Sequence, residues 1–328
     1  MVVIESNHIK RFIELFQNKT RDIEFNTFWL GATGNNKEKI KEIIRKVGKK
    51  IEETGKKATP VNPDLIGIFD EYNLKITIRP LYIYGRYIKL SRYMPQTMFS
   101  CKVCNGRGCA ICDYTGKAYK TSIEEIIGEP MKRETRADSY TLIGLGREDV
   151  DVRMLGNGRP FLIKLTKPKI RNIDLNKIKE EINENERVMV SDLLFANNEL
   201  VEMLKNEKVE KEYIALVECK DEIKELNLKN EYFIEQRTPT RVMHRRPDLI
   251  RYRKIRVKRI EFIDKKHIML DIIAQHGTYI KEFVSGDFGR TKPSISSIIG
   301  SDCTVTELDC IMIFDKLPFS NKVIYPFN

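Results

Sequence analysis

The sequence predicts an α+β protein in which a small N-terminal unit precedes a larger domain built on a mixed or antiparallel sheet. Three observations support this prediction. The chain has 328 residues, which is more than one ordinary small domain contains. Apolar residues recur at helical spacing near the N-terminus, whereas strand-like runs dominate from about residue 120 onward. A compact loop with four cysteines lies between the two parts.

The N-terminal part combines helices with a hairpin. Residues 8–18 and 35–55 carry apolar side chains at helical spacing, and the second helix has an opposite face made almost wholly of lysine and glutamate. Residues 63–85 then show the alternation of a β-hairpin. We therefore predict a first α+β domain over residues 1–90.

The second predicted domain, residues 91–328, has strand runs broken by single helices. Alternating apolar side chains predict strands over RPFLIKL (159–165), KEYIALVEC (211–219) and HIMLDIIAQ (267–275). The segment DLNKIKEEINENE (174–186) predicts a helix. Strands separated by so few helices are typical of an α+β domain with a mixed or antiparallel sheet.

A four-cysteine loop, residues 98–118, opens the second domain. It contains two C-x-x-C pairs, formed by Cys101, Cys104, Cys109 and Cys112. In a cytosolic chain such pairs favour a metal over disulfides, and four thiolates that close a tetrahedral shell suit a structural zinc. A reduced metal-free loop, or two pairs that serve separate sites, remain as alternatives. A catalytic zinc is disfavoured because the thiolates leave no open position.

The three other cysteines stand apart in the sequence. The sequence places Cys219, Cys303 and Cys310 far from the four-cysteine loop, and none of them belongs to a C-x-x-C pair. We expect them to be ordinary buried or half-buried thiols.

The overall charge points to an anionic partner. The formal net charge is +11 and the pI is near 9.1, which favours nucleic acid, although a lysine-rich solvated surface would give the same balance. The sequence contains no run of 18 apolar residues, and its first residues lack the apolar core of a signal peptide. We predict a cytoplasmic protein with no membrane association, and no feature calls for an obligate protein partner.

Residues 237–259 concentrate the positive charge, with ten Arg or Lys against the single acid Asp248. Two prolines make the first half a loop. We predict that this loop contacts RNA phosphates and bases through Arg241, His244, Arg245 and Arg246. The alternative, a charged edge strand, fits part of the second half, where alternate residues are apolar.

Three further segments occur in a fixed order. GREDVDVRMLG (146–156) is a charged glycine turn, KEY (211–213) opens a strand, and HGTYIKEFVSGDFGR (276–290) leads from a turn into a short helix. In this order they resemble the motifs of pseudouridine synthases. With YIYGRYIKLSRYMPQT and TPTRVMHRRP, the similarity over roughly residues 60–328 is to the archaeal and eukaryotic tRNA pseudouridine synthases that carry a THUMP-containing accessory domain.

This resemblance implies a fold, a substrate and a reaction. The family joins a pseudouridine synthase catalytic domain to an RNA-binding THUMP domain, of which residues 1–90 would be a shortened form. It isomerises uridines 54 and 55 in the T loop of tRNA, and the chemistry requires no cofactor. We therefore expect tRNA as the partner, modification at uridine 55 and also at uridine 54, and zinc only as a structural ion.

The resemblance also implies the catalytic groups. Asp149 occupies the position of the aspartate that these enzymes share, acting at the ribose as nucleophile or as base. Lys281 occupies the position of the basic residue that pairs with it, where many relatives have arginine. Asp151 is a competing carboxylate, because strand alternation would point it to the same side.

The substrate-binding residues follow in the same way. Tyr213 would stack on the target base and assist the final proton removal, and Tyr279 would line the opposite wall. A uridine in a folded loop must be extruded before its sugar can be reached, so we expect Arg147 and Arg153 to hold the flipped nucleotide's phosphates.

Taken singly, these residues also have structural explanations: an aspartate that caps a turn, a core tyrosine and a solvated lysine. A non-catalytic zinc-containing tRNA-binding protein is the alternative function. It would explain the charge and the cysteines equally well, but not the joint occurrence of Asp149, Tyr213 and Lys281.

Overall fold

The computed structural model describes residues 2–34, 36–224, 226 and 228–318. The helices are α1 (Val2–Thr20), α2 (Lys37–Glu52), α3 (Ile123–Thr135), α4 (Leu175–Asn183), α5 (Asn198–Asn206), α6 (Ile280–Ser285) and α7 (Ile295–Ile299). The strands are β1 (Thr27–Ala32), β2 (Lys57–Ala58), β3 (Leu65–Phe69), β4 (Leu74–Ile78), β5 (Leu81–Lys89), β6 (Ser139–Gly144), β7 (Val152–Thr166), β8 (Val188–Phe195), β9 (Lys211–Cys219), β10 (Glu231–Arg237), β11 (Ile250–Phe262), β12 (His267–Ala274), β13 (Thr291–Lys292) and β14 (Cys303–Ile313).

The N-terminal elements form a four-stranded sheet in the order β2-β1-β3-β4. Strand β1 is parallel to both of its neighbours, and β3 and β4 form the antiparallel hairpin that the sequence predicted. Helices α1 and α2 pack their apolar faces on this sheet. The core includes Phe12, Phe16, Phe28, Ile44 and Val47, all of which are buried. The predicted helices over residues 8–18 and 35–55 correspond to α1 and α2.

The second sheet has ten strands in the order β13-β10-β11-β12-β9-β14-β7-β5-β8, with β6 paired to β7. Neighbouring strands are antiparallel except β14 and β7, which are parallel, so the sheet is mixed as predicted. The predicted strand KEYIALVEC coincides with β9, and the predicted helix over 174–186 contains α4. The mixed α and β architecture is thereby confirmed.

The break between the two sheets lies earlier than the domain boundary predicted at residue 90. Strand β5 pairs with β7 and β8, so it belongs to the second sheet, and the smaller sheet ends at Ile78. The sequence hid this because Ile83 to Lys89 are all buried, and a strand buried on both faces shows no alternation that separates it from the hairpin before it.

Two of the three isolated cysteines are not free thiols. Cys219 and Cys303 lie directly opposite each other on the antiparallel strands β9 and β14, with a Cα–Cα distance of 4.0 Å, and they form a disulfide. The expectation of ordinary thiols was wrong for this pair, because 84 residues separate the two cysteines and only the strand register brings them together. Cys310 is a buried free thiol, as predicted.

A search of the described helices finds none long and apolar enough to cross a lipid bilayer.

Candidate active site

The charged turn before β7 rests on a buried ion pair. Glu148 and Arg159 lie 2.8 Å apart, and their side chains are only 2 % and 1 % exposed. The hydroxyl of Tyr87 donates to both carboxylate oxygens of Glu148 at 2.8 Å, and the side-chain amide of Gln96 donates to that hydroxyl at 2.8 Å. Part of the turn's charge is therefore structural, since it fixes the turn to the strands beneath it.

A second buried cation holds the backbone of the same turn. The ammonium of Lys89 donates to the carbonyl oxygens of Asp149 and Val150 at 3.1 and 2.8 Å. Burial lowers the pKa of Lys89 to about 8. These bonds hold the backbone carbonyl groups of the turn. The side-chain carboxylate of Asp149 takes no part in them and has other partners.

Asp149 is paired with Arg241 from the basic loop. The guanidinium of Arg241 lies 3.0 Å from Oδ1 and 2.9 Å from Oδ2 of Asp149, and its Nε donates to Glu282 at 2.6 Å. Burial lowers the pKa of Arg241, but the carboxylates of Glu282 and Asp149 outweigh this and raise it. Arg241 is therefore a cation fixed at the carboxylate, and its RNA contact stays a prediction.

Lys281 lies at the same cluster but bonds mainly to the neighbouring carboxylate. Its ammonium is 2.6 and 2.7 Å from the two oxygens of Asp151 and 3.9 Å from Asp149. Burial would raise the pKa of Asp151, but the hydrogen bond and charge of Lys281 outweigh it and lower the pKa. Asp149 therefore has two cationic partners, the predicted Lys281 at 3.9 Å and the closer Arg241 at 2.9 Å, which the sequence had placed at the RNA.

Two aromatic side chains line the cavity beside this cluster. Tyr213 lies on β9, and Tyr279 immediately precedes α6. The amide of Gln236 fixes Tyr279 by two bonds, accepting from its N–H at 2.8 Å and donating to its carbonyl at 3.0 Å. Burial, followed by the nearby Cys310 thiol, raises the pKa of Tyr213, so its phenol stays neutral.

The cavity that joins these residues has a volume of about 360 Å³. Five of the six predicted catalytic and substrate-binding residues line this cavity: Asp149, Lys281, Tyr213, Tyr279 and Arg147. A pocket of this volume is at the small end of those that enclose a ligand, which begin at about 300 Å³.

Arg147 and Arg153 have different surroundings. The guanidinium of Arg147 lies 4.7 Å from the ring centre of Phe99 at the cavity, where burial and the positive charge of Arg245 lower its pKa. Arg153 is absent from the cavity lining and binds Asp309 through two bonds, 2.9 Å from Nε and 2.5 Å from Nη2. The structure therefore gives no support to a phosphate contact by Arg153, because its side chain is taken by Asp309.

The rest of the basic loop faces solvent near the mouth of the cavity. His244, Arg245 and Arg246 are exposed, and Arg246 also lines the cavity. None of these three side chains has a hydrogen bond or ion pair within the described part of the chain. The carboxylate of Asp287 accepts from the N–H of Thr240 at 2.8 Å, which fixes the start of the loop against α6.

Three more cavity residues escaped the sequence analysis: Lys211, Arg253 and His276. Lys211 is the first residue of the KEY segment, so its position beside Tyr213 in the motif was the available signal. Arg253 lies in the basic segment 237–259 and His276 opens the segment 276–290, so both stood in segments that the sequence marks, but only strand pairing shows that they reach the cavity.

The four cysteines of the loop 98–118 converge. Their sulfurs all lie within 4.8 Å of one another, and Cys112 Sγ is 3.8 Å from Cys104 Sγ and 3.7 Å from Cys109 Sγ. Four thiolates at 2.3 Å from a tetrahedral zinc would be about 3.8 Å apart, so the arrangement fits a metal ion. Gly108 has a φ of +91°, and a Cβ there would lie 2.7 Å from the carbonyl oxygen of Tyr114, so the loop requires glycine at this turn.

Comparison with known families assigns the chain to one of them. The family model described as Pus10, C-terminal, matches residues 82–314. The "tRNA pseudouridine synthase Pus10" of Methanocaldococcus jannaschii is 46% identical over 262 residues, 77% of this chain and 58% of that protein. The protein of the same name from Archaeoglobus fulgidus is 38% identical over 332 residues, covering 94% and 92%. The chain belongs to the Pus10 family, which confirms the resemblance drawn from its motifs.

The coverage of the relatives differs. The "tRNA pseudouridine synthase Pus10" of Methanothrix thermoacetophila is 43% identical over 280 residues, 82% of this chain and 62% of that protein. This chain thus spans about three fifths of the length of two of the three relatives. Among solved structures, "Crystal Structure of a Cbf5-Nop10-Gar1 Complex" is similar with a TM-score of 0.35 and 15% identity, covering 70% of this chain and 48% of that one.

Proposed function

We propose that this protein is a tRNA pseudouridine synthase that isomerises uridine 55, and also uridine 54, in the T loop. The observation that carries the proposal is the cavity in which Asp149, held by two cations, lies with Tyr213 and Tyr279. The basic loop at its mouth and the net charge of +11 support tRNA as the substrate, and we propose a cytoplasmic location for the activity.

The reaction moves the base from one ring atom to another without loss of atoms. The bond from ribose C1′ to N1 breaks, the uracil turns, a bond from C1′ to C5 forms, the C5 proton leaves and N1 takes up a proton. A carboxylate near the sugar is required, as nucleophile or as base. Arg241 and Lys281 hold the side chain of Asp149 in position for that role.

The aromatic residues and exposed arginines position the nucleotide. A flipped uracil would stack on Tyr213, with Tyr279 as the opposite wall. The neutral phenol of Tyr213 suits stacking, but burial makes it a poor acceptor for the C5 proton, which limits the second role predicted for it. We assign the phosphates to Arg147, Arg245 and Arg246, which lack carboxylate partners within the described residues.

The experiment that tests this proposal follows the proton that leaves C5. An unmodified tRNA transcript with tritium at C5 of its uridines should release tritium to water when it is incubated with the protein. The matched variant Asp149→Ala should bind the transcript with unchanged affinity and release none. A non-catalytic tRNA-binding protein would release no tritium in either form and would keep its affinity in both.

We also propose that the cysteine loop holds one structural zinc. The support is the mutual distance of the four sulfurs and the backbone N–H groups that donate to two of them, from Gly108 to Cys104 at 3.2 Å and from Gly116 to Cys112 at 3.3 Å. Elemental analysis should find one zinc per chain, lost when Cys101 and Cys104 are both replaced by serine. Protein purified without chelator that contains no zinc would refute the assignment. A chelator should loosen the loop before it changes turnover.

The N-terminal sheet with its two helices is proposed as a THUMP-like accessory domain that binds RNA. A cavity of about 620 Å³ lies between α2 and β1, with the half-exposed Trp29 beside it and Lys41, Arg45 and Lys49 one turn apart along its rim. Aromatic stacking and cations are the groups that hold single-stranded RNA. Replacing Arg45 and Lys49 together by alanine should weaken tRNA binding and leave tritium release at saturating tRNA unchanged. Unaltered affinity would refute a role for this groove.

A further inference from the structure

Lys211 is a buried cation without a partner. It is 7 % exposed, lines the cavity, and makes no hydrogen bond or ion pair to any residue that the structure describes. Its ammonium lies so near Gly146 that a Cβ there would be 3.0 Å from Nζ. A buried ammonium without an acceptor destabilises the fold, so its presence requires an explanation.

None of the described neighbours of Lys211 accepts a hydrogen bond from its ammonium. Burial, followed by repulsion from Arg159, lowers the pKa of Lys211 to about 8, so at neutral pH it is an ammonium with three donor hydrogens. At the same end of the cavity, Nε of Arg253 and Nδ1 of His276 are buried without hydrogen-bond partners. This end of the cavity is complete only when a ligand brings an acceptor.

The fold places Asp149 and Lys211 at opposite ends of the cavity. The segment 276–281 begins beside Lys211 at His276, and it ends with Lys281 at the carboxylate cluster. Tyr213 follows Lys211 by two residues on the same face of β9, a distance of about 7 Å. A base that stacks on Tyr213 with its ribose at Asp149 therefore points the edge opposite N1 at Lys211.

That edge of uracil carries the carbonyl oxygen O4. We propose that Lys211 selects uracil by donating a hydrogen bond from its ammonium to O4 of the flipped base. Cytosine has an amino group at this position, so two donors would face each other and the ammonium would stay unpaired. This inference rests on the proposed function, and it adds the atom by which the site recognises its substrate.

A phosphate is a poorer occupant for this end of the cavity. The cations suited to phosphate, Arg147, Arg245 and Arg246, cluster at the mouth. Lys211 lies deeper, beside the buried pair of Arg159 and Glu148, where a charged phosphate would lose its water. A neutral carbonyl oxygen satisfies the ammonium without that cost.

The test is a double-mutant cycle in which the side chain of Lys211 and the O4 atom of the base are changed singly and together. The RNAs are a T-arm stem-loop with uridine at position 55 and the same stem-loop with 4-thiouridine there, which keeps the N3–H donor and replaces O4 by sulfur, a weaker hydrogen-bond acceptor. The proteins are the wild type and Lys211→Met. We expect the wild type to bind the 4-thiouridine RNA roughly tenfold more weakly, because the buried ammonium then meets a weak acceptor. Lys211→Met should bind the two RNAs within about threefold of each other.

The other outcomes are decisive. A Lys211→Met protein that still discriminates by the wild-type factor would overturn the proposal, as would an equal loss of affinity for both RNAs, which is the result of a merely structural lysine. Lys211→Arg keeps a cation and should keep the preference, and Lys211→Leu replaces the Met variant should that one fail to fold. Tritium release from the uridine stem-loop by the wild type is measured alongside. Its absence would reject the proposed function without affecting the affinity cycle.

Discussion

The two ends of the cavity differ in how their charges are satisfied. At one end, Asp149 and its neighbour Asp151 are each bound by a cation, and Arg241 is held in turn by Glu282. At the other end, Lys211, Nε of Arg253 and Nδ1 of His276 have no hydrogen-bond partner among the residues that the structure describes. A carboxylate that must be in place before the substrate binds needs partners within the protein. Groups that recognise a base instead form their hydrogen bonds with the substrate. The pairing pattern therefore separates the groups that we propose for the reaction from those that we propose for recognition of the base.

The largest effect is expected on the reaction rate, from a change at the end of the cavity where Asp149 lies. Asp149→Asn removes the carboxylate while keeping its shape, and we expect the rate of pseudouridine formation to fall by about a thousandfold or more. Asp151→Asn is the matched control, since it changes a carboxylate two residues away that Lys281 binds, and it should cost less than about tenfold. Tritium release under single-turnover conditions measures both. A reversed order of the two variants would transfer the catalytic role to Asp151.

The next largest effect should come from the ion pair beneath both ends. Glu148→Gln leaves Arg159 charged and buried without its partner, and the free energy of unfolding should fall by about 3–5 kcal/mol. Glu261→Gln breaks an ion pair with Arg259 that is 45 % and 66 % exposed, and should cost less than about 1 kcal/mol. Denaturant titrations of the two variants supply the comparison. Equal small losses would show that the buried pair does not hold the turn.

The smallest effect should come from the mouth of the cavity, outside both ends. Replacing Arg245 and Arg246 by alanine should weaken tRNA binding and reduce the slope of log K against log salt by about one unit per lost phosphate contact. Turnover of bound tRNA should change less than affinity, because these residues do not touch the reacting atoms. Arg259→Ala, in the same basic segment but paired with Glu261, serves as the control. Unchanged slopes would make the loop a solubility feature.

Much of the fold and part of the site were predictable because the signals are local. The strand β9, the helix α4 and the cysteine spacing are contained in short stretches, and so is the turn that holds Asp149. Strand β5 was misplaced because burial on both faces removes the alternation that marks a strand next to solvent.

The remaining contacts join segments that lie far apart in the sequence. Arg241 is 92 residues from Asp149, and Arg153 is 156 residues from Asp309. Local composition identifies the arginines as candidates for charged contacts, but only the register of the strands decides which carboxylate each one meets. The basic loop illustrates this, since Arg241 pairs with Asp149 whereas His244, Arg245 and Arg246 face solvent.

The most direct test of the account is a map of pseudouridine positions in a full-length unmodified tRNA transcript after incubation with the purified protein. The wild type should place pseudouridine in the T loop, at position 55 and also at position 54, and the parallel reaction with Asp149→Asn should leave both uridines unchanged. A transcript that carries no pseudouridine after incubation with folded wild-type protein would contradict the account, as would a T loop modified to the same extent by the Asp149→Asn variant.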